Sequence, residues 1–126
     1  KRPQFPLWLA PTQVRLIPLK DDFLEFASNL AGKLTEQNIR VDIDDRNDTI
    51  SKRIRDAEKE WINYVLVIGE KEMNSPSLSV RDRTTGDVRQ LSTENFVKEI
   101  QDATRGKPVS KLNSAILLSQ RPQIMV

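Results

Sequence analysis

The sequence contains no cysteine and no histidine. That removes disulfides, thiolate nucleophiles, imidazole bases and the usual zinc ligands together. Carboxylates alone can still hold a metal, but no calcium-loop spacing occurs. Glycine is scarce, four residues that do not cluster. There is accordingly no Gly-x-Gly-x-x-Gly, no P-loop and no Gly-x-Ser-x-Gly elbow, and no catalytic residue or cofactor is expected. No apolar run approaches the roughly 18 residues that cross a bilayer, and no signal segment opens the chain. An excess of one charge is nearly missing as well: 20 basic and 18 acidic residues leave +2. That balance permits nucleic-acid binding through a focused face without demanding it. Absent cysteine fits a cytoplasmic location.

What is present describes a folded domain. The chain has 126 residues, 37% of them hydrophobic and 30% charged, enough for one real core. Lys1-Arg2-Pro3-Gln4 reads as a linker cut from something larger, so residues 1–10 are expected to form a linker or leading segment. The body is expected over 11–106 and a C-terminal extension over 107–126.

Val14 to Leu19 alternates with Arg15 and reads as a first strand, with Pro18 near its end. Asp21 and Asp22 offer a cap, and Phe23, Ala27, Leu30 and Leu34 fall on one helical stripe. Asn38 can end that helix in a left-handed turn. Ile39 to Asp44 forms a second strand. Asp48 or Thr49 caps a second helix, whose stripe is Ile50, Ile54, Ala57 and Trp61. Tyr64 to Ile68 is a third strand that stops at Gly69, followed by a charged turn, Glu70-Lys71-Glu72. Leu78 to Arg83 and Val88 to Leu91 make a hairpin across Thr84-Thr85-Gly86-Asp87. Ser92 caps a last helix that ends at Gly106 and Pro108. The order is βαβαβ, then a β-hairpin and a helix. It predicts an α/β fold, a five-stranded mixed sheet in a three-layer α/β/α arrangement.

Three residues suit single-stranded RNA. Glu72, just past a glycine-terminated strand, can accept from the Watson–Crick edge of guanine, and the reading places it facing solvent. Arg81, on the next strand, can read base acceptors or phosphate. Asn47, in the loop before a helix, offers amide donors and acceptors. Lys52, Arg53 and Arg55 can contact phosphates. Each has a plainer alternative: a surface acid, a surface ion pair with Asp82 or Glu72, a turn residue, a solvated helix face. Trp61 closes an apolar stripe and is expected in the core rather than as a base-stacking platform. Asp42, Asp44, Asp45 and Asp48 form an acidic group, and a solvated capping turn outweighs magnesium binding there.

Read in order, the pieces resemble a family. Phe5-Pro6-Leu7-Trp8-Leu9-Ala10-Pro11-Thr12-Gln13-Val14, Ile39-Arg40-Val41-Asp42, Asp45-Arg46-Asn47, Lys52-Arg53-Ile54-Arg55-Asp56-Ala57-Glu58, Gly69-Glu70-Lys71-Glu72 and Val80-Arg81-Asp82-Arg83 are similar to the C-terminal anticodon-binding domain of class IIa aminoacyl-tRNA synthetases. The threonyl branch, of archaeal type, is most similar; the prolyl and glycyl branches share the domain. The resemblance spans roughly residues 5 to 105. It implies that the chain binds the anticodon stem-loop of threonine tRNA, with Glu72 and Arg81 at the positions that read its G and U bases and Asn47 at a further contact. It places ATP and zinc in a catalytic domain absent here, and implies a homodimeric parent enzyme. Asn63 stands where the family usually has proline, which predicts a looser turn. The alternatives are a recruited copy serving as an accessory or dimerisation module, or the same domain from a prolyl or glycyl enzyme.

Overall fold

The computed structural model describes residues 5–109, 111–112 and 114–121. Residues 1–4 of the expected linker, and 110, 113 and 122–126 of the expected extension, lie outside the described residues. The strands are β1 Val14–Pro18, β2 Val41–Ile43, β3 Tyr64–Ile68, β4 Ser77–Asp82 and β5 Val88–Ser92. The helices are α1 Leu24–Glu36, α2 Ile50–Lys59, α3 Glu70–Asn74 and α4 Thr93–Thr104. One five-stranded sheet runs in the order β2-β1-β3-β4-β5. β1 pairs parallel with β2 and β3, and the β3–β4 and β4–β5 pairs are antiparallel. The sheet is mixed, as the element order predicts.

Two apolar clusters give the three layers. One face of the sheet packs Leu16, Leu66 and Val80 against Leu30 and Leu34 of α1 and Phe96 and Ile100 of α4. The other packs Ile17 and Val65 against Ala57 of α2 and the nearby Ile62. α1 ends at Asn38 with φ of 64°, and Thr49 caps α2 by accepting from the Lys52 N–H. α2 reaches only over the inner strands. Along β4, Leu78, Val80 and Asp82 are buried while Ser77, Ser79 and Arg81 are half-exposed. Val88 on β5 is 50% exposed. The β4–β5 part of that face is therefore an open platform beside α2.

Four details depart from the sequence expectation. β1 does not alternate: all five residues are buried, because a central strand with helices on both faces has no wet side. Its Arg15 is 0% exposed. Arg15 donates to both Asp42 oxygens at 2.9 and 3.0 Å and to Glu60 at 2.6 and 3.1 Å. Burial disfavours its charge, but Glu60 and Asp42 outweigh that and raise its pKa. Second, Asp42 and Asp44 are buried arginine acceptors, not a solvated turn. Third, Trp61 is 38% exposed. α2 stops at Lys59, and Trp61 takes φ of 60°. That swings it out of the stripe, and its ring meets Phe5 at 5.3 Å between centroids. Fourth, Asn63 is more than a turn residue. It is buried, and its amide donates to the Phe5 carbonyl at 3.1 Å. With Arg40 donating to the Ala10 and Trp8 carbonyls at 2.8 Å each, and Gln13 to Leu7, it fastens residues 5–10 to the body.

Candidate nucleic-acid interface

The parallel strands β2, β1 and β3 end on one edge of the sheet, where α/β folds place ligands. Three chain reversals meet there: Leu19–Asp21 after β1, Asp44–Asp48 after β2, and Gly69–Glu72 after β3. A cleft of about 520 Å³ opens between the first two, lined by Leu19, Lys20, Asp45, Asn47, Asp48 and Arg53 among others. Asn47 is exposed at this cleft. Its loop is held locally by Arg46, which donates to both oxygens of Asp44 at 2.9 and 2.8 Å and to Asp56 at 3.1 Å.

Glu72 does not face solvent. It is 7% exposed, because the charged turn coils into the one-turn helix α3, and N3 of such a turn folds back over its own start. Its Oε1 accepts from the Gly69 N–H at 2.9 Å, and its Oε2 accepts from the Ser79 hydroxyl at 3.3 Å. Gln90 donates on to Ser79 at 2.9 Å, so a polar chain runs from β5 across β4 to α3. Each carboxylate oxygen has about two acceptor sites, so Glu72 keeps acceptor capacity in a fixed orientation. The backbone at Gly69 is extended (φ −132°). Its missing side chain matters through contact: a Cβ there would lie 2.9 Å from a Leu19 methyl.

Arg81 lies two residues along β4 from Ser79 on the same platform, roughly 7 Å away by strand rise. It faces Val65 across the β3–β4 pairing and lines a small groove of about 50 Å³ with Glu58, Ile62 and Gly86. No described hydrogen bond or ion pair engages the Arg81 side chain, and its Nε is buried without a partner. The surface pairings with Asp82 or Glu72 that the sequence left open are therefore not formed. Asp82 is taken by Arg89 at 2.9 Å.

The cations of α2 divide. Arg53 is buried and donates through Nη1 to the Pro18 and Asp44 carbonyls at 2.9 and 3.1 Å. It ties the ends of β1 and β2 together instead of presenting to phosphate. Lys52 is exposed between Asp48 at 3.6 Å and Asp56 at 3.2 Å. Burial pushes the Asp56 carboxyl up, but hydrogen bonds from Lys52 and Arg46 leave it lowered overall. Arg55 is exposed and enters no described pair.

The fold thus gathers Glu72, Ser79, Gln90 and Arg81 on the open platform. Asn47 sits apart at the cleft, separated by β1, with Leu19 between them. Ser79 and Gln90 escape a sequence reading. Ser79 carries one signal, its place two residues before Arg81; Gln90 carries none.

Residues 13–103 match the family described as the anticodon binding domain. The threonine–tRNA ligase of Nitrosopumilus maritimus (strain SCM1) is 61% identical over all of this chain. That of Pyrobaculum calidifontis (strain DSM 21063 / JCM 11548 / VA1) is 51% identical over 97% of it. The chain spans about 20% of the length of each of these relatives. Among solved structures, the RNA binding domain of threonyl-tRNA synthetase from Cryptosporidium parvum Iowa II superposes with a TM-score of 0.74 at 26% identity, covering 86% of this chain and 26% of that one. Histidyl-tRNA synthetase from Nostoc sp. PCC 7120 shares the fold, with a TM-score of 0.67 at 20% identity over 73% of this chain and 22% of that one.

Proposed function

We propose that this chain, which belongs to the anticodon-binding domain family, is the module by which a threonine–tRNA ligase holds the anticodon loop of threonine tRNA. The observation that carries the proposal is identity over the full chain with enzymes of that name, 61% in the first case. The open platform beside α2 supports it, since it offers polar groups at a spacing that suits neighbouring unstacked bases.

In this reading Arg81 donates to the acceptors of a base or to an adjacent phosphate, uncommitted to any other residue. Glu72 accepts from guanine N–H groups with its remaining lone pairs, held in place by Gly69 and Ser79. Asn47 makes a further contact from the cleft. The G and U of the threonine anticodon are the bases proposed for Glu72 and Arg81. Aminoacylation, with its ATP and zinc, belongs to the remainder of the parent enzyme, which we take to be a cytoplasmic homodimer. Zinc does not suit the residues here: the chain has no thiolate or imidazole, and the described residues include no three-carboxylate group arranged for a metal. No helix among the described residues is long and apolar enough to cross a membrane.

The test is direct binding of a labelled threonine anticodon stem-loop, beside stem-loops with the G or the U replaced. Each replacement is expected to weaken binding by about 1–3 kcal/mol. Equal affinity for all three would remove the base-reading assignment.

A further inference from the structure

The chain beyond α4 returns to the opposite edge of the sheet from β5. The Ile43 N–H donates to the Ile116 carbonyl at 2.8 Å, and Leu117 bridges Ile43 in parallel. This adds a single-residue bridge beside β2, outside the five strands. A single turn, Leu118–Gln120, follows. Within it Ser119 donates twice to Asp45: its N–H to Oδ1 at 2.9 Å and its hydroxyl to Oδ2 at 2.7 Å. Arg121 donates to the buried Asp42 at 3.0 Å, and back to the Ala115 carbonyl at 2.8 Å, closing the segment on itself.

These contacts fall on Asp42, Ile43 and Asp45, in the run that leads into Asn47. Asp42 and Ile43 belong to β2, and Asp45 is the second residue after it. On its far side the same loop is held by Arg46, through Asp44 and Asp56, and by the Thr49 cap. Asn47 is therefore strung between a local anchor and a remote one, Ser119, which lies 74 residues beyond the Asp45 it holds. The family match ends at residue 103, so the remote anchor lies outside the matched part.

We propose that residues 115–121 form a strap that holds the β2–α2 loop in its RNA-binding conformation, with Ser119 as a positioning residue acting through Asp45. This rests on the reading of Asn47 as an RNA contact. The ligand class is the single-stranded loop of an RNA hairpin. Ser119 itself need not touch it: without the strap the loop has only its local anchor, and RNA must order it on binding. Ordering a loop at the moment of binding weakens affinity.

The experiment uses the full chain and measures three quantities for wild type, Ser119→Ala, Ser119→Thr, Asn47→Ala and the Ser119→Ala/Asn47→Ala pair. They are affinity for the threonine anticodon stem-loop, amide exchange at residues 46–48, and the melting temperature. Ser119→Ala is expected to weaken binding about three- to tenfold and speed exchange in the loop, with the melting temperature nearly unmoved. Ser119→Thr, which keeps the hydroxyl, should restore both. The double variant should bind no worse than Asn47→Ala, since both changes act on one loop. Wild-type affinity or wild-type exchange in Ser119→Ala would each overturn the strap, as would full additivity of two individually weakening changes. The other failure looks different: if Asn47→Ala binds as wild type while Ser119→Ala still weakens binding, the Asn47 contact falls and the strap stands.

Discussion

Glu72 and Arg81 have the same proposed partner and opposite structural standing, which separates their effects on stability and binding. Glu72→Ala removes the acceptor of the Gly69 N–H and of the Ser79 hydroxyl. It should cost about 1–2 kcal/mol of stability as well as RNA affinity. Arg81→Ala breaks no described pair, so it should leave the denaturation midpoint within about 0.5 kcal/mol and lose only affinity. Chemical denaturation beside stem-loop titration checks both. A similar fall in stability for the two variants would contradict the assignment of roles. At this scale residue type was legible in the sequence and environment was not. A charged turn before an alternating strand marked Glu72 and Arg81. Burial of one and not the other depends on α3 closing over the end of β3, a contact no spacing encodes. Arg15 and Arg53 were misread for the same reason: a cation in a strand or on a helix looks solvated until its carboxylate or carbonyl partners arrive from distant segments.

At the scale of elements, β5 is fastened to α4 and β4 by one cluster of charges. Arg89 donates to both oxygens of Glu99 at 2.9 and 2.8 Å and to Asp82 at 2.9 Å, and the Tyr64 hydroxyl donates to Glu99 at 2.8 Å. The Arg89 hydrogen bonds, against some burial and with help from Tyr64, lower the Glu99 pKa. Burial and then Glu99 raise that of Tyr64, so its hydroxyl stays protonated and keeps donating. Glu99 is depressed in the folded state, so it contributes stability fully above its unfolded value of about 4.3 and loses it as pH falls through the lower folded value. Wild-type stability should therefore drop below about pH 4.3 in part through Glu99. Glu99→Gln should be less stable at pH 7 and show a shallower acid decline. Thermal melts across pH 2.5 to 7 would settle it; parallel curves for the two proteins would remove Glu99 from the account. On the other face, Arg53→Met should separate the ends of β1 and β2 from α2. It should cost about 1–3 kcal/mol in denaturant, by leaving the Pro18 and Asp44 carbonyls without that donor. The elements themselves were largely readable, since β3, α4 and the Thr49 and Ser92 caps follow from apolar runs and capping side chains. The short helix α3 was not: five residues give too little periodicity to tell a helical turn from an open one.

At the scale of the molecule, topology followed from element order because strands alternating with helices leave few ways to close a sheet. The C-terminal segment was illegible for the converse reason. Its place beside β2 comes from one bridge and a few side chains reaching back across the chain. The same whole-molecule view bounds the electrostatics of binding. The net charge is +2, and several cations near the interface are engaged: Arg53 by two carbonyls, Arg46 by Asp44 and Asp56, Lys52 by Asp48 and Asp56. Arg55, Lys20, Lys71 and Arg81 are among the cations there that enter no described ion pair and are available to phosphate. Each phosphate neutralised on a single-stranded loop contributes about 0.7 to the slope of log affinity against log salt. Two or three contacts then give a slope of about −1.4 to −2.1, shallow for an RNA-binding module. Arg55→Ala and Lys20→Ala should each flatten it by about 0.7 and weaken all stem-loops alike, whatever their anticodon. Arg53→Met should leave the slope unchanged while lowering stability. Stem-loop titrations between roughly 50 and 300 mM sodium chloride would measure it. A wild-type slope steeper than about −4 would mean that the paired cations leave their carboxylates for the RNA, and that binding rearranges the very network that holds the loop of Asn47.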